Sequence, residues 1–183
     1  MEGGSAGPFR GGKGSTWEGG LREPGLFWWP GKIKPGQTSL EVATNTDIFP
    51  TLLELANIPV PPNLVLDGKS MTPLIFNNTP IHTNELIGFW RDDMLYAARW
   101  NQYKIHFYTR TGFEPDPPLP HNPPLLYNVE WDPHEKFPLN TSMPEYNQVL
   151  QTMINLANQH QKEVRVCYPP QKKSITPLSS FLS

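Results

Sequence analysis

The sequence predicts an α/β chain that ends in a small antiparallel sheet with a helix packed on it, and three observations carry that prediction. Leu86 to Trp90, Met94 to Trp100 and Tyr103 to Tyr108 are rich in aromatic and branched residues, separated only by the polar turns Arg91-Asp92-Asp93 and Asn101-Gln102, which is the pattern of a meander. Tyr146, Val149, Leu150, Met153, Leu156, Ala157 and Val164 recur at helical spacing. Upstream, an apolar run and a short amphipathic segment predict one strand and one helix of an α/β layer.

Taken in chain order, residues 1–20 read as irregular backbone because glycine dominates them. Gly25-Leu26-Phe27-Trp28-Trp29 before Pro30-Gly31 reads as a buried strand ended by a turn, with both tryptophans in the core. From Asp47 to Asn57, Ile48, Leu52 and Leu55 form one helical stripe, and Pro50 falls in the first turn, where its missing N–H costs little. Asp67-Gly68 predicts a tight turn and Pro73 a single helical turn. Leu125 to Val129 predicts a fourth strand after a proline-rich loop, EPDPPLPHNPP. Ser142 with Glu145 forms a capping box, Pro144 suits the first turn, and the helix that follows has an apolar stripe able to cover one face of the sheet. Beyond Cys167, proline, lysine and serine without periodicity predict a disordered tail over 167–183.

At 183 residues the chain can form one domain with a real core or the end portion of something larger. Its formal net charge of −2, with charges interspersed, excludes nucleic acid as the main partner, because phosphate neutralisation needs a clustered basic face. The 22 prolines concentrate in VPPN, EPDPPLPHNPPLL and CYPPQ, so they punctuate elements. No apolar stretch approaches the roughly 18 residues of a membrane span, and the first residues lack the apolar segment of a secretory signal. Cys167 is the only cysteine, which excludes an internal disulfide, and no Cys/His cluster has zinc spacing. Asn77-Asn78-Thr79 and Asn140-Thr141-Ser142 are glycosylation sequons.

The chemistry concentrates in GPFRGGKGSTWEGG, residues 7–20, a glycine-dense loop around Lys13. Glycines let backbone N–H groups turn inward and the lysine adds a full positive charge, so the loop suits an oxyanion. Gly7, Gly12 and Lys13 nearly reproduce the phosphate-binding pattern G-x-x-x-x-G-K-[ST], but Gly14 stands where a magnesium-holding hydroxyl is required. A flexible glycine linker is the plain alternative.

The run GGKGSTWEGGLREPGLFWWPGKIKPG resembles the sulfatases, particularly their arylsulfatase A and N-acetylgalactosamine-6-sulfatase branch. The resemblance continues through TDIFPTLLELANIPVP, LDGKSMTPLI, YAARWNQYKIHFYT, PPLLYNVEWDPHE and SMPEYNQVLQTMINLANQHQKE. It implies the C-terminal part of an alkaline-phosphatase-like fold: residues 1–80 closing the large α/β domain, with the substrate loop at 7–22, and 81–166 forming the sheet and helix. It implies hydrolysis of a sulfate ester on a sulfated sugar or aryl substrate, with Lys13 contacting the sulfate. A fixed ammonium there would reward the charge that shifts onto oxygen as the S–O bond breaks.

In the resembling family a formylglycine made from the cysteine of C-x-P-x-R is the nucleophile, and carboxylates with an asparagine hold Ca²⁺. Neither set matches a position in this sequence, which places both on a preceding sulfatase half and leaves this chain inactive alone. Cys167-Tyr168-Pro169-Pro170-Gln171 matches the nucleophile motif except that Gln171 replaces its arginine, and so is read as a decoy. Gly11 stands where relatives carry a cysteine paired with one before the PPLLY-like strand, and both are absent here. Thr16, Trp17, Glu18 and Arg22 read as loop packing, with Glu18 and Arg22 an ion pair that fixes the turn, and Arg10 as a surface arginine. His82, His106, His121, His134 and His160 fall on separate elements without metal spacing, and only His121, in the proline-rich loop, is expected near the substrate opening. The resemblance implies a lysosomal or secreted setting and is compatible with a homodimer. The rival reading is a non-catalytic binding or structural module derived from the same fold.

Overall fold

The structure, a computed structural model, describes residues 4–112 and 117–167, with side chains through 164. It divides into two compact units, Met1–Glu23 with Asn84–Ser183, and Pro24–Thr83. The glycine loop groups with the sheet that follows it.

The first unit is built on a four-stranded sheet in the order β1-β2-β3-β4, comprising β1 (Leu86–Arg91), β2 (Met94–Trp100), β3 (Tyr103–Thr109) and β4 (Leu119–Asn128). All pairings are antiparallel, with Gly88 opposite Ala98, Ala98 opposite Ile105 and Ile105 opposite Leu126. Asp92 and Asn101 open the two hairpin turns with positive φ, 53° and 51°, which short polar side chains tolerate when glycine is absent. β4 begins six residues before the predicted strand and runs through the prolines, so His121 sits within a strand instead of a loop. The order explains it: β4 is an edge strand, where a missing N–H breaks no central ladder.

Helix α4 (Tyr146–Cys167) covers one face of this sheet, α1 being the four-residue turn Glu18–Leu21 in the glycine loop. Met153, Ile154 and Ala157 of α4 are fully buried against Leu95, Ile105, Phe107 and Leu126. Each large side chain so buried contributes about 1.5–3 kcal/mol, so this layer dominates the unit's stability. Trp90 of β1 donates its indole N–H to His160 of α4 at 3.1 Å. A Cβ on Gly88 would lie 2.5 Å from His160, so only glycine admits that approach. The helix starts at Tyr146, and the Ser142 hydroxyl donates to Asn140 Oδ1. Cys167 is its last residue. The predicted tail beyond it, and the remainder of the C-x-P-x-Q decoy, lie outside the described residues.

The second unit holds a 3₁₀ turn, Asn45–Asp47, then α2 (Ile48–Leu55) and α3 (Thr72–Asn77). Asp47 is its knot. Fully buried, it accepts from Thr44 N at 2.6 Å, from Lys69 N at 2.8 Å and pairs with His82 Nε2 at 2.8 Å, joining three segments. Burial pushes its carboxyl up, but these donors more than offset that and hold it below the usual range. Two expectations fail in this unit. Residues 25–29 form no strand, and Leu26 and Trp28 are 89% and 81% exposed. The α2 stripe is also largely bare, with Ile48 and Leu52 exposed and only Leu55 partly covered. A strand needs a ladder partner and a stripe needs a cover, and among the described residues neither segment has one.

Candidate functional site

The glycine loop lies on the sheet face opposite α4, and the alternation of β3 prepares that face. Ile105 and Phe107 point into the α4 core, so Lys104 and His106 point the other way. Both are fully buried, which for a lysine demands partners. Lys104 Nζ lies 2.8 Å from Glu18 Oε1 and 3.3 Å from Glu135 Oε1. His106 Nε2 lies 2.7 Å from Glu135 Oε1, and Glu135 Oε2 accepts the Glu18 N–H at 2.6 Å. Two carboxylates, an ammonium and an imidazole thus form a closed polar layer between loop and sheet.

Aromatic packing completes the seat. The Trp17 ring lies 4.2 Å from that of His106 and edge-on to Tyr127, with Val129 beside it. Arg10 stacks its guanidinium 3.7 Å above Trp17 and donates to the Glu135 carbonyl at 2.9 Å. His134 Nδ1 donates to the Pro8 carbonyl at 2.6 Å. The expected Glu18–Arg22 pair is present at 3.8 Å, secondary to the Lys104 contact. Glycine is required where α1 presses on the loop: a Cβ on Gly19 would meet the Arg10 carbonyl at 2.5 Å. Gly11 has φ 76°, and a Cβ there would meet Ser15 Oγ at 2.5 Å, so a cysteine at this position would displace Ser15.

Lys13 sits at the exposed crest, with no hydrogen bond or ion pair to its ammonium among the described residues. Its neighbours are fixed. Ser15 Oγ donates to the Gly12 carbonyl at 2.8 Å, and Arg91 Nη1 donates to the carbonyls of Gly14 and Gly112, each at 2.8 Å. Thr16 Oγ1 is covered and finds no partner among the described residues. His121 is half-buried on β4 and shares a 2.8 Å hydrogen bond with Thr109. Burial, and then the Arg10 charge, push its imidazole below the ordinary range. No hydrogen bond joins His121 to Lys13 among the described residues. Asn77 and Asn140 are both exposed, in different units.

Burial pushes His106 down to about 4, against which its bond to Glu135 pulls upward. Burial would raise the Glu135 carboxyl, but His106, the Lys104 charge and the Glu18 N–H bring it below the ordinary range. Among the described residues no three His, Cys, Asp or Glu side chains converge as metal ligands. No helix among them is long and apolar enough to cross a membrane.

Residues 82–179 match the family profile for the C-terminal region of aryl-sulfatase, and residues 1–58 match that for sulfatase. The chain belongs to the sulfatase family. It is 36% identical over 181 residues to the N-acetylgalactosamine-6-sulfatase of Canis lupus familiaris, across 88% of this chain and 34% of that protein. It is 39% identical over 158 residues to the arylsulfatase A of Bos taurus, across 78% of this chain and 31% of that one. The crystal structure of a sulfatase from Pseudoalteromonas sp. superposes with a TM-score of 0.73 at 29% identity, covering 90% of this chain and 34% of the other. The chain therefore spans about a third of the length of the sulfatases it matches.

Sequence reasoning singled out the glycine loop and Lys13 as candidates but did not reach Lys104, His106, Glu135 and Arg91, which hold the loop. One local signal existed: in Tyr103-Lys104-Ile105-His106-Phe107 polar and apolar residues alternate, marking a second face that something must cover.

Proposed function

We propose that this chain serves sulfate ester hydrolysis, with Lys13 as the group that contacts the ester sulfate. The observation that carries the reading is an exposed ammonium on a loop whose flanks are tied down by Arg91, Glu135 and His134, while the buried charges beneath it neutralise one another. Rigid flanks place the charge before the anion arrives, and a fixed charge is worth most when negative charge builds on sulfate oxygens. A flexible linker would have no reason to bury two carboxylates and a lysine to hold itself still.

The substrate class is a sulfated sugar or aryl sulfate, in keeping with the names of the relatives. The formylglycine nucleophile and Ca²⁺ site of the family belong to the two-thirds of family length that this chain does not match, so the chain alone does not turn over substrate. In this reading His121, which hydrogen-bonds Thr109, is a candidate second contact for substrate, and the exposed Asn77 and Asn140 are acceptors for glycans in a lysosomal or secreted setting.

The test is a titration with inorganic sulfate followed by NMR of the lysine side chains. The Lys13 Nζ resonance is expected to move saturably, Lys13→Ala to abolish the effect, and Lys104 to stay still. A Lys13 signal indifferent to sulfate, or movement of all exposed lysines alike, defeats the assignment.

A further inference from the structure

Glu135 combines three costs. It is fully buried, it carries a charge, and it adopts φ 51°, a left-handed conformation that residues other than glycine seldom take. It belongs to no strand or helix, and the α4 core holds the sheet without it. What these costs secure is the glycine loop. Glu135 Oε2 receives the Glu18 N–H, its carbonyl receives Arg10, and His134 before it reaches Pro8. The tied residues, 8, 10 and 18, bracket Lys13.

We propose that Glu135 is the positioning residue of the Lys13 site: it does not touch the anion but fixes where the ammonium stands. This rests on the sulfate reading above. Glu135 Oε1 meets both Lys104 and His106 on β3, while Oε2 meets the loop backbone, so one carboxylate transmits the rigidity of the central sheet to the loop. Its charge also completes the neutralisation of Lys104, which Glu18 alone would leave with a single partner. Arg91 holds the Gly14 carbonyl independently, so losing Glu135 loosens the loop on both sides of Lys13 without releasing it entirely, and leaves the sheet intact.

The experiment compares the 183-residue chain with Glu135→Gln, which keeps the shape but removes the charge and one acceptor oxygen. Amide hydrogen exchange is read residue by residue, and inorganic sulfate is titrated against Lys13 Nζ. The expected result is faster exchange confined to residues 8–20, unchanged exchange in β1–β4 and α4, and sulfate binding weakened about tenfold, the scale of effect seen when supporting groups of a site are lost. Sulfate affinity equal to that of the unaltered chain overturns the proposal, as does loop exchange that stays slow. If Glu135→Gln unfolds the sheet, His134→Ala decides, because it cuts the Pro8 tie without uncovering a charge. Weaker sulfate binding with an intact sheet then supports the proposal, and unchanged binding overturns it. If Lys13 of the unaltered chain ignores sulfate, the functional reading fails, and the exchange pattern still reports whether Glu135 anchors the loop.

Discussion

The His106 ring offers Nε2–H to the ionised Glu135, which leaves Nδ1 as a bare acceptor, and no partner faces it among the described residues. A second proton would sit there unsatisfied, in a layer that already holds Lys104 and lies within reach of His121. The sign follows. The folded ring titrates near 4 and the unfolded one near 6.5, so between those values the unfolded chain binds more protons and stability falls as pH falls. Glu135, held below its ordinary range, adds a loss in the same direction at still lower pH. The gap between the folded and unfolded rings corresponds to a loss of up to about 3 kcal/mol. The melting temperature should therefore drop between pH 6.5 and 4.5, and His106→Asn should flatten that slope. A melting temperature equally steep in the variant would show that some other group governs the acid response.

The sheet and α4 are where element-level physics is strongest. Phe107 is fully buried between strand and helix, and Phe107→Ala should cost about 3–5 kcal/mol in urea unfolding. A loss below about 1 kcal/mol would mean that this layer repacks freely. These elements were legible because each turns one apolar face to the other, so apolar period and structure coincide in Tyr103–Thr109 and again along Tyr146–Cys167. The strand expected at Gly25–Trp29 was not, because a continuous apolar run states only that burial is wanted, and the ladder partner must come from elsewhere. β4 was half legible: proline argued for a loop, and only its place at the edge of the sheet reverses that argument. Lys13 could be singled out as a candidate from local pattern, whereas the anchors of its loop could not, since Glu18 and Glu135 are 117 residues apart in sequence.

Over the whole molecule the apolar surface is unevenly disposed. The unit Pro24–Thr83 exposes Leu26, Phe27, Trp28, Leu40, Phe49 and Leu52, a concentration that a lone protein in water rarely tolerates. Apolar surface on this scale calls for a cover. Without such a cover the chain should self-associate: its light-scattering mass should rise with concentration, and L26E with W28E should suppress the rise. A strictly monomeric chain at high concentration would show that this surface needs no partner. On its β4 side the other unit is better defended against clumping. Pro120, Pro123 and Pro124 strip donors from that outermost strand, so a stray polypeptide finds few handholds along the rim, and fibril-like stacking from that side is blocked before it can begin.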